Sequence, residues 1–324
     1  MVGGIEQGLV VPADEKREFI LSEGEVSAAC AVAPIVNCMR PYLLMLGGAG
    51  SFAVMGTLAH AAGKYCEWQL IAVARSLVAM LLALTLTRVH GARLVIFRPP
   101  VLWLRSLAGS ASVMCNFFAL SQLHVADALT LINMFPVWIA VLSWPMLGRM
   151  PARDVWLSVG CCMTGVVLMY EPGVSAGLGT LLGFTGSVTS AIALIGLHRL
   201  RGIDPNAIVA HFSAVSVLTL VGVITVSPLS DRTLTQLTHN PVLAALLVGT
   251  GVFAGIGQLL LTRAFAAGAP ARVSVVSLTQ VVFAMGFDYF LWNRELEWQM
   301  LPAMLLILAP TAWMILQRPR GADE

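Results

Sequence analysis

The sequence predicts an all-α polytopic membrane protein, ten transmembrane helices in two inverted five-helix repeats. Three observations carry this. Ten apolar segments fill the chain between Tyr42 and Leu316. The arginines between them alternate in number from one gap to the next. The two halves also align with each other at a nearly constant offset. A helix needs about 20 residues to cross the ~30 Å of hydrocarbon, and in lipid it satisfies its backbone hydrogen bonds internally.

The segments follow in order. Residues 42–63 form the first, closed by Lys64, and 68–87 the second, closed by Arg88, Arg93 and Arg98. Segments 99–120 and 126–147 come next, and Arg149 and Arg153 follow the fourth. The fifth, 154–170, is short. The sixth, 178–197, leads to Arg199 and Arg201, and the seventh, 205–227, to a gap holding Arg232. Segment 241–263 ends at Arg263, with Arg272 close beyond it. Arg294 separates 269–292 from 298–316, and Arg318 and Arg320 close the chain. With a cytoplasmic N-terminus, the inner gaps hold every one of these cations except Lys64, Arg232 and Arg294. The positive-inside rule therefore puts both termini in the cytoplasm of a multi-pass cell-membrane protein.

Composition agrees. The 324 residues are 58% hydrophobic and 11% charged, against about 25% charged in soluble domains. The net charge of +2 comes from basic loops, so it reports topology and no nucleic-acid partner. Residues 1–41 differ: acidic, polar and broken by Pro12 and Pro34, they read as a disordered cytoplasmic tail. They lack the basic start and apolar core of a signal peptide, so the first segment directs insertion. Residues 317–324 form a second short tail. The six cysteines show no metal-ligand spacing with histidine.

The repeat aligns Gly47-Gly48-Ala49-Gly50-Ser51 with Gly183-Phe184-Thr185-Gly186-Ser187, and Arg75 with His211, at an offset of 136. Beyond the long gap 228–240 the offset becomes 144. Thr130, Asn133 and Pro136 then meet Ser274, Ser277 and Gln280. Five helices per half is odd, so the second half, 178–316, enters the membrane opposite to the first, 42–170. Inverted repeats build many secondary transporters, with the substrate near the midplane between them.

These features resemble the drug/metabolite transporter superfamily, in its ten-helix EamA-type branch. The residues that carry the resemblance run from Lys64-Tyr65-Cys66-Glu67 to Val73-Ala74-Arg75. They continue in Arg105-Ser106-Leu107-Ala108-Gly109, Phe117-Phe118-Ala119-Leu120, Ala126-Asp127-Ala128 and Phe135-Pro136. One departure stands out: the family often ends its fourth helix with Leu-Gly-Glu, where this chain has Leu147-Gly148-Arg149. In the second half, Asn293-Arg294-Glu295 keeps a displaced acid. The resemblance implies a carrier of small metabolites working by alternating access, often outward.

Arg75 is the sharpest candidate site residue, about 10 Å into the second helix at 1.5 Å per residue. A mid-helix arginine costs about 2.5–3.5 kcal/mol on insertion scales and so faces a partner or a wet cavity. Two readings stand: a hook for a carboxylate or phosphate, or a structural pair with Glu67 or Asp127. Arg105, close to the inner end of the third helix, reads as a headgroup anchor. Asp127, Thr130 and Asn133 recur every three residues on one face, matched by Ser274, Ser277 and Gln280. Because both halves carry this stripe, it reads as lining a substrate path, although such groups also join helices. Asn116 and Gln258 complete a polar ring, and Trp138 offers an aromatic wall. Gly47, Gly50, Gly183 and Gly186 read as close-packing or hinge positions. Of His60, His211 and Asp288, His211 is the best proton-coupling candidate, since it matches Arg75 in the repeat and titrates in the useful range.

Two enzymatic signatures are missing: no His-Glu-x-x-His and no phosphate-binding loop occurs. No cofactor is called for. The expected partners are a small-molecule substrate and the lipid bilayer, with no oligomer required. The sequence thus reads as a secondary carrier, working outward as an exporter, for a small polar or amphipathic metabolite such as an amino acid or organic anion. Its rivals are a membrane enzyme acting on a lipid-like substrate and a non-transporting receptor or scaffold.

Overall fold

The computed structural model describes residues 39–97, 99–123, 125–170, 177–292 and 300–316. Residues 1–38 and 317–324 of the expected tails, and with them Arg98, Asn293, Arg294, Glu295, Arg318 and Arg320, lie outside the described residues, as does the side chain of Asp288.

Among the described residues every regular element is helical. Helix α1 spans Met39–Ala62. It is followed by α2 (Trp68–Val89), α3 (Pro100–Gln122), α4 (Val125–Ile132), α5 (Phe135–Leu147) and α6 (Arg153–Tyr170). The second half holds α7 (Leu178–His198), α8 (Pro205–Val226), α9 (Asp231–His239), α10 (Pro241–Ala267), α11 (Pro270–Ser277), α12 (Thr279–Trp292) and α13 (Met300–Leu316). Eight stretches of these helices are long and apolar enough to cross a membrane, with α13 a shorter apolar helix. Each expected segment is helical where it is described, with ends shifted by a few residues; α6, the fifth, is not among those apolar spans.

Local chemistry sets the helix ends. Proline occupies the first turn of α3, α8 and α10, where a missing N–H costs nothing. The Asp204 carboxylate caps α8 by accepting from the amides of Asn206 and Ala207 at 2.7 and 3.4 Å, and Asn240 does the same for α10. Gly148 ends α5 in the left-handed region, at φ 72°.

Two expected helices are interrupted by a tightened turn, with the backbone still right-handed helical at Met134 and Leu278. The segments 126–147 and 269–292 read as continuous, yet α4 gives way to α5 at Asn133–Met134, and α11 to α12 at Leu278. Met134 and Leu278 are repeat equivalents at the offset of 144. The causes differ. Pro136 has no N–H for the Ile132 carbonyl, so the ladder fails one turn earlier. In the second half no proline intervenes. The hydroxyls of Ser274, Ser277 and Thr279 bond the carbonyls of Ala271, Ser274 and Val276 at 2.6–2.8 Å, and the Leu278 amide tightens onto Val275 at 3.2 Å.

Packing partners exchange between the halves as a two-fold relation requires. Helix α2 packs on α8 and α6 on α13, each helix on its own repeat equivalent, and α5 packs on α11, the equivalent of α4. The α2–α10 contact is answered by α8–α3. The contact of α3 with α7 is answered by α10 with α1, where Gly257 meets the Phe52 ring and the Ser51 hydroxyl donates to the Phe253 carbonyl at 2.8 Å. The bundle is lined with small and hydroxylated residues, including the buried Ser106, Ser110, Ser187, Ser216 and Thr250. Large apolar side chains such as Leu218, Trp144 and Leu305 are exposed on the outside. Lipid rewards this arrangement: helices gain nothing by hiding leucines from hydrocarbon, and much by close approach of small residues.

Candidate functional site

A cationic cluster occupies the interior where α2, α3, α8 and α10 meet. Arg75 on α2 is 7% exposed. Its Nε donates to the Met55 sulfur at 3.3 Å, and no carboxylate of the described residues lies within 4 Å of it. This corrects the pairing with Glu67 or Asp127. The Glu67 carboxylate instead accepts from the Ser230 amide at 3.2 Å, and Asp127 is buried on α4. The ion pair formed between described residues joins Arg272 to Asp154 at 3.3 Å, in a different part of the bundle.

Arg105 overturns a second expectation. It is no headgroup anchor: only 2% of it is exposed. Its Nη2 donates to Gln258 Oε1 on α10 at 3.2 Å, and its guanidinium lies 4.1 Å from the centroid of the Phe212 ring on α8. Its Nε is buried with no hydrogen-bond partner. Glycine makes the room. A Cβ on Gly109 would strike the Arg105 guanidinium and come within 2.8 Å of the Phe212 ring, and Gly196 of α7 lies against the Arg105 stem. Arg75 and Arg105 are both buried, on helices α2 and α3, which pack against each other.

His211, the repeat equivalent of Arg75, borders the same cluster. Its Nδ1 shares a 2.8 Å hydrogen bond with the Ser106 hydroxyl, next to Arg105. The Trp103 ring meets it edge-on at 4.8 Å. Arg75, Gln258 and His211 are thus gathered around a residue that sequence reasoning had placed at the surface. A signal was available: Arg105, Gly109, Ser112 and Asn116 fall at i, i+4, i+7 and i+11, a small and polar stripe along one face of α3.

The remaining candidates form other groups. Asn116 donates to Ser112 at 3.2 Å, Ser112 bonds Ser190 of α7, and the buried Asn116 Oδ1 has no partner. That oxygen presses on Gly186, where a Cβ would overlap it. The Trp138 indole donates to Ser187 at 3.1 Å and stands edge-on to Phe184, so it packs against α7 and away from the arginines. Thr130 is buried with Asp127 on α4, and Asn133 donates to the Leu129 carbonyl at 2.8 Å. Ser274 and Ser277 spend their hydroxyl hydrogens on their own helix, and Gln280 is half-buried beyond the break. Of the glycines, Gly183 and Gly186 meet neighbours tightly. Gly47 and Gly50 do not, with nearest atoms at 3.4 and 3.9 Å from an added Cβ.

Comparison with known proteins places this arrangement. The sequence profile of the EamA-like transporter family matches residues 39–171 and again 177–316. The pseudopaline exporter CntI of Pseudomonas aeruginosa strain UCBPP-PA14 is 27% identical over 256 residues, 78% of this chain and 87% of its own. An uncharacterized transporter of Helicobacter pylori strain 26695 is 23% identical, over 63% of this chain and 69% of its own. Human solute carrier family 35 member G1 is 23% identical, over 64% and 59% respectively. A solved crystal structure shares the fold with a TM-score of 0.71 at 14% identity, covering 84% of this chain and 95% of that one.

Proposed function

The chain belongs to the EamA-like transporter family, a multi-pass membrane transporter, and on that premise we propose that it carries a small organic anion outward across the cell membrane by alternating access. The observation that carries the substrate class is the pair of buried guanidiniums, Arg75 and Arg105, without a carboxylate within 4 Å among the described residues. Ionised groups inside a membrane protein are expensive and conspicuous, and they mark substrate paths when no structural partner satisfies them. Guanidinium presents a planar fork that fits carboxylate in two parallel hydrogen bonds.

Alternating access is supported by the inverted packing and by the matched breaks at Met134 and Leu278. Discontinuous helices at equivalent places in two repeats are a mark of secondary transporters. The outward direction is supported by the name of the Pseudomonas relative, an exporter. In this reading both termini are cytoplasmic, and His211, bonded to Ser106 beside Arg105, takes up or releases the coupling proton.

The test is flux from liposomes containing the purified protein and loaded with a panel of labelled carboxylate metabolites and their amides. Saturable efflux of an unaltered carboxylate, lost in both Arg75→Gln and Arg105→Gln at equal folded protein, supports the reading. Flux confined to neutral compounds, or indifferent to both substitutions, refutes it.

A further inference from the structure

The assignment of Arg75 and Arg105 as the cargo site leaves a question of charge. Arginine stays protonated in proteins, so each side chain brings a full positive charge into the bundle. Neither has a carboxylate within 4 Å among the described residues. Arg75 gives its Nε to a thioether. Arg105 gives one nitrogen to the neutral amide of Gln258 and its face to Phe212, and keeps a buried, unpartnered Nε. The surrounding groups that could accept hydrogen bonds, Ser106, Ser110 and Ser216, are neutral and already bonded, to His211 and to each other. His211 itself adds positive charge when protonated. A cargo with one negative charge would leave one guanidinium unmatched in a site that water does not screen well.

We propose that the cargo is a small dianion, a dicarboxylate or a phosphate, whose two negative charges are met by Arg75 and Arg105 together. This rests on the reading of these arginines as the cargo site. The two guanidiniums reach the interior from different helices, α2 and α3, so they present two forks and not one widened fork. Gln258 orients the Arg105 fork and Met55 the Arg75 fork. The loaded site is then close to neutral, whereas a site loaded with a monoanion keeps a net charge. That difference selects for charge number.

The experiment uses the purified full-length protein in detergent, titrated with succinate and with its monoamide succinamate at matched ionic strength, with inorganic phosphate as a third ligand. Binding is read by calorimetry and by the rise in melting temperature that a native-state ligand produces. Succinate or phosphate is expected to bind about tenfold or more tightly than succinamate, the worth of a second charge-assisted contact. Which of the two binds better tells a dicarboxylate cargo from a phosphorylated one. Arg75→Gln and Arg105→Gln are each expected to erase the preference, leaving diacid and monoamide nearly equal. Equal binding of succinate and succinamate to the native protein, still sensitive to either arginine, overturns the dianion and leaves the anion site standing. No binding of any of the three overturns both. The comparison of ligands on the unmutated protein decides the matter even where a variant fails to fold.

Discussion

Arg105 on α3 donates from Nη2 to Oε1 of Gln258 on α10 at 3.2 Å, a bond between the two halves of the chain across 153 residues of sequence. Helices α3 and α10 are repeat equivalents, and here one contributes a charge and the other a neutral amide. The amide holds the guanidinium without neutralising it. A carboxylate at the same place would hold it equally well and cancel it.

That contrast makes the first prediction. Gln258→Glu is expected to raise the melting temperature and to weaken anion binding at least tenfold, because the new carboxylate competes with cargo for Arg105. Gln258→Leu is expected to cost about 1–3 kcal/mol of stability by leaving a further buried donor unpaired. Affinity per folded molecule and thermal melts check both. Undiminished anion binding by Gln258→Glu would remove Arg105 from the site.

A second prediction concerns the contact between α3 and α7. An added Cβ at Gly186 overlaps the Asn116 amide oxygen and lies 3.2 Å from Cys115 Cβ. Gly186→Ala is expected to destabilise the protein by about 1–3 kcal/mol through overpacking. Asn116→Ala in the same chain is expected to return much of that loss. Absence of coupling in the double variant would show that the two residues do not meet.

The third prediction separates packing glycines from permissive ones. Gly251 faces Val78 and Gly255 faces Leu82 of α2, the latter at 2.8 Å from an added Cβ. Gly251→Ala is expected to cost about 1–3 kcal/mol. Gly50→Ala, with its nearest neighbour at 3.9 Å, is expected to be neutral or to stabilise by up to about 1 kcal/mol, since alanine favours helix over glycine. Melting temperatures in a common detergent report both, and equal losses at the two positions would contradict the packing.

Topology gives the fourth. Single cysteines at Arg93 and Arg201 are expected to react only with a cytoplasmic reagent, and one at Thr235 on α9 only with an external one. Native Cys66, between α1 and α2, need not be removed. Its thiol is pushed up to about 11 by burial and, secondarily, by the adjacent Glu67 carboxylate. It is therefore almost wholly protonated at neutral pH, and the thiol is far less reactive than the thiolate. Maleimide labelling of Cys66 at pH 7.5 is expected to lag far behind the engineered sites. Labelling of Arg93→Cys and Thr235→Cys from one face would break the ten-helix topology.

The helical framework was legible because hydrophobic length and basic gaps are local properties, written residue by residue. Arg75 was legible for the same reason, since seven residues of helix separate it from the nearest end. Arg105 was not. Its distance from the helix end suits an anchor, and only the rotation of α3 in the bundle turns it inward, where Gly109 leaves room for its guanidinium. The breaks show the same limit. Asn133 and Pro136 announce the first, but the second rests on three hydroxyls whose choice of carbonyl is fixed by tertiary burial. The glycines of α1 and α7 look alike in sequence, yet only those of α7 meet a neighbour that a methyl group would displace. The residue opposite a glycine decides its role, and a single sequence does not print that residue.

The burial of Arg105 also bears on how the chain is made. During synthesis α3 emerges long before α8 and α10, which supply Phe212 and Gln258. For that interval a guanidinium destined for the interior has neither its ring nor its amide, and a lone arginine in a nascent helix is costly to leave in lipid. The first half, α1 to α6, therefore does not make a self-sufficient insertion unit. Helix α3 has to wait at the protein-lined or watery margin of the insertion machinery, or sit high with its arginine at the headgroups, until the second half arrives. A gene cut between the halves is expected to yield a short-lived first fragment, rescued when the second is made beside it.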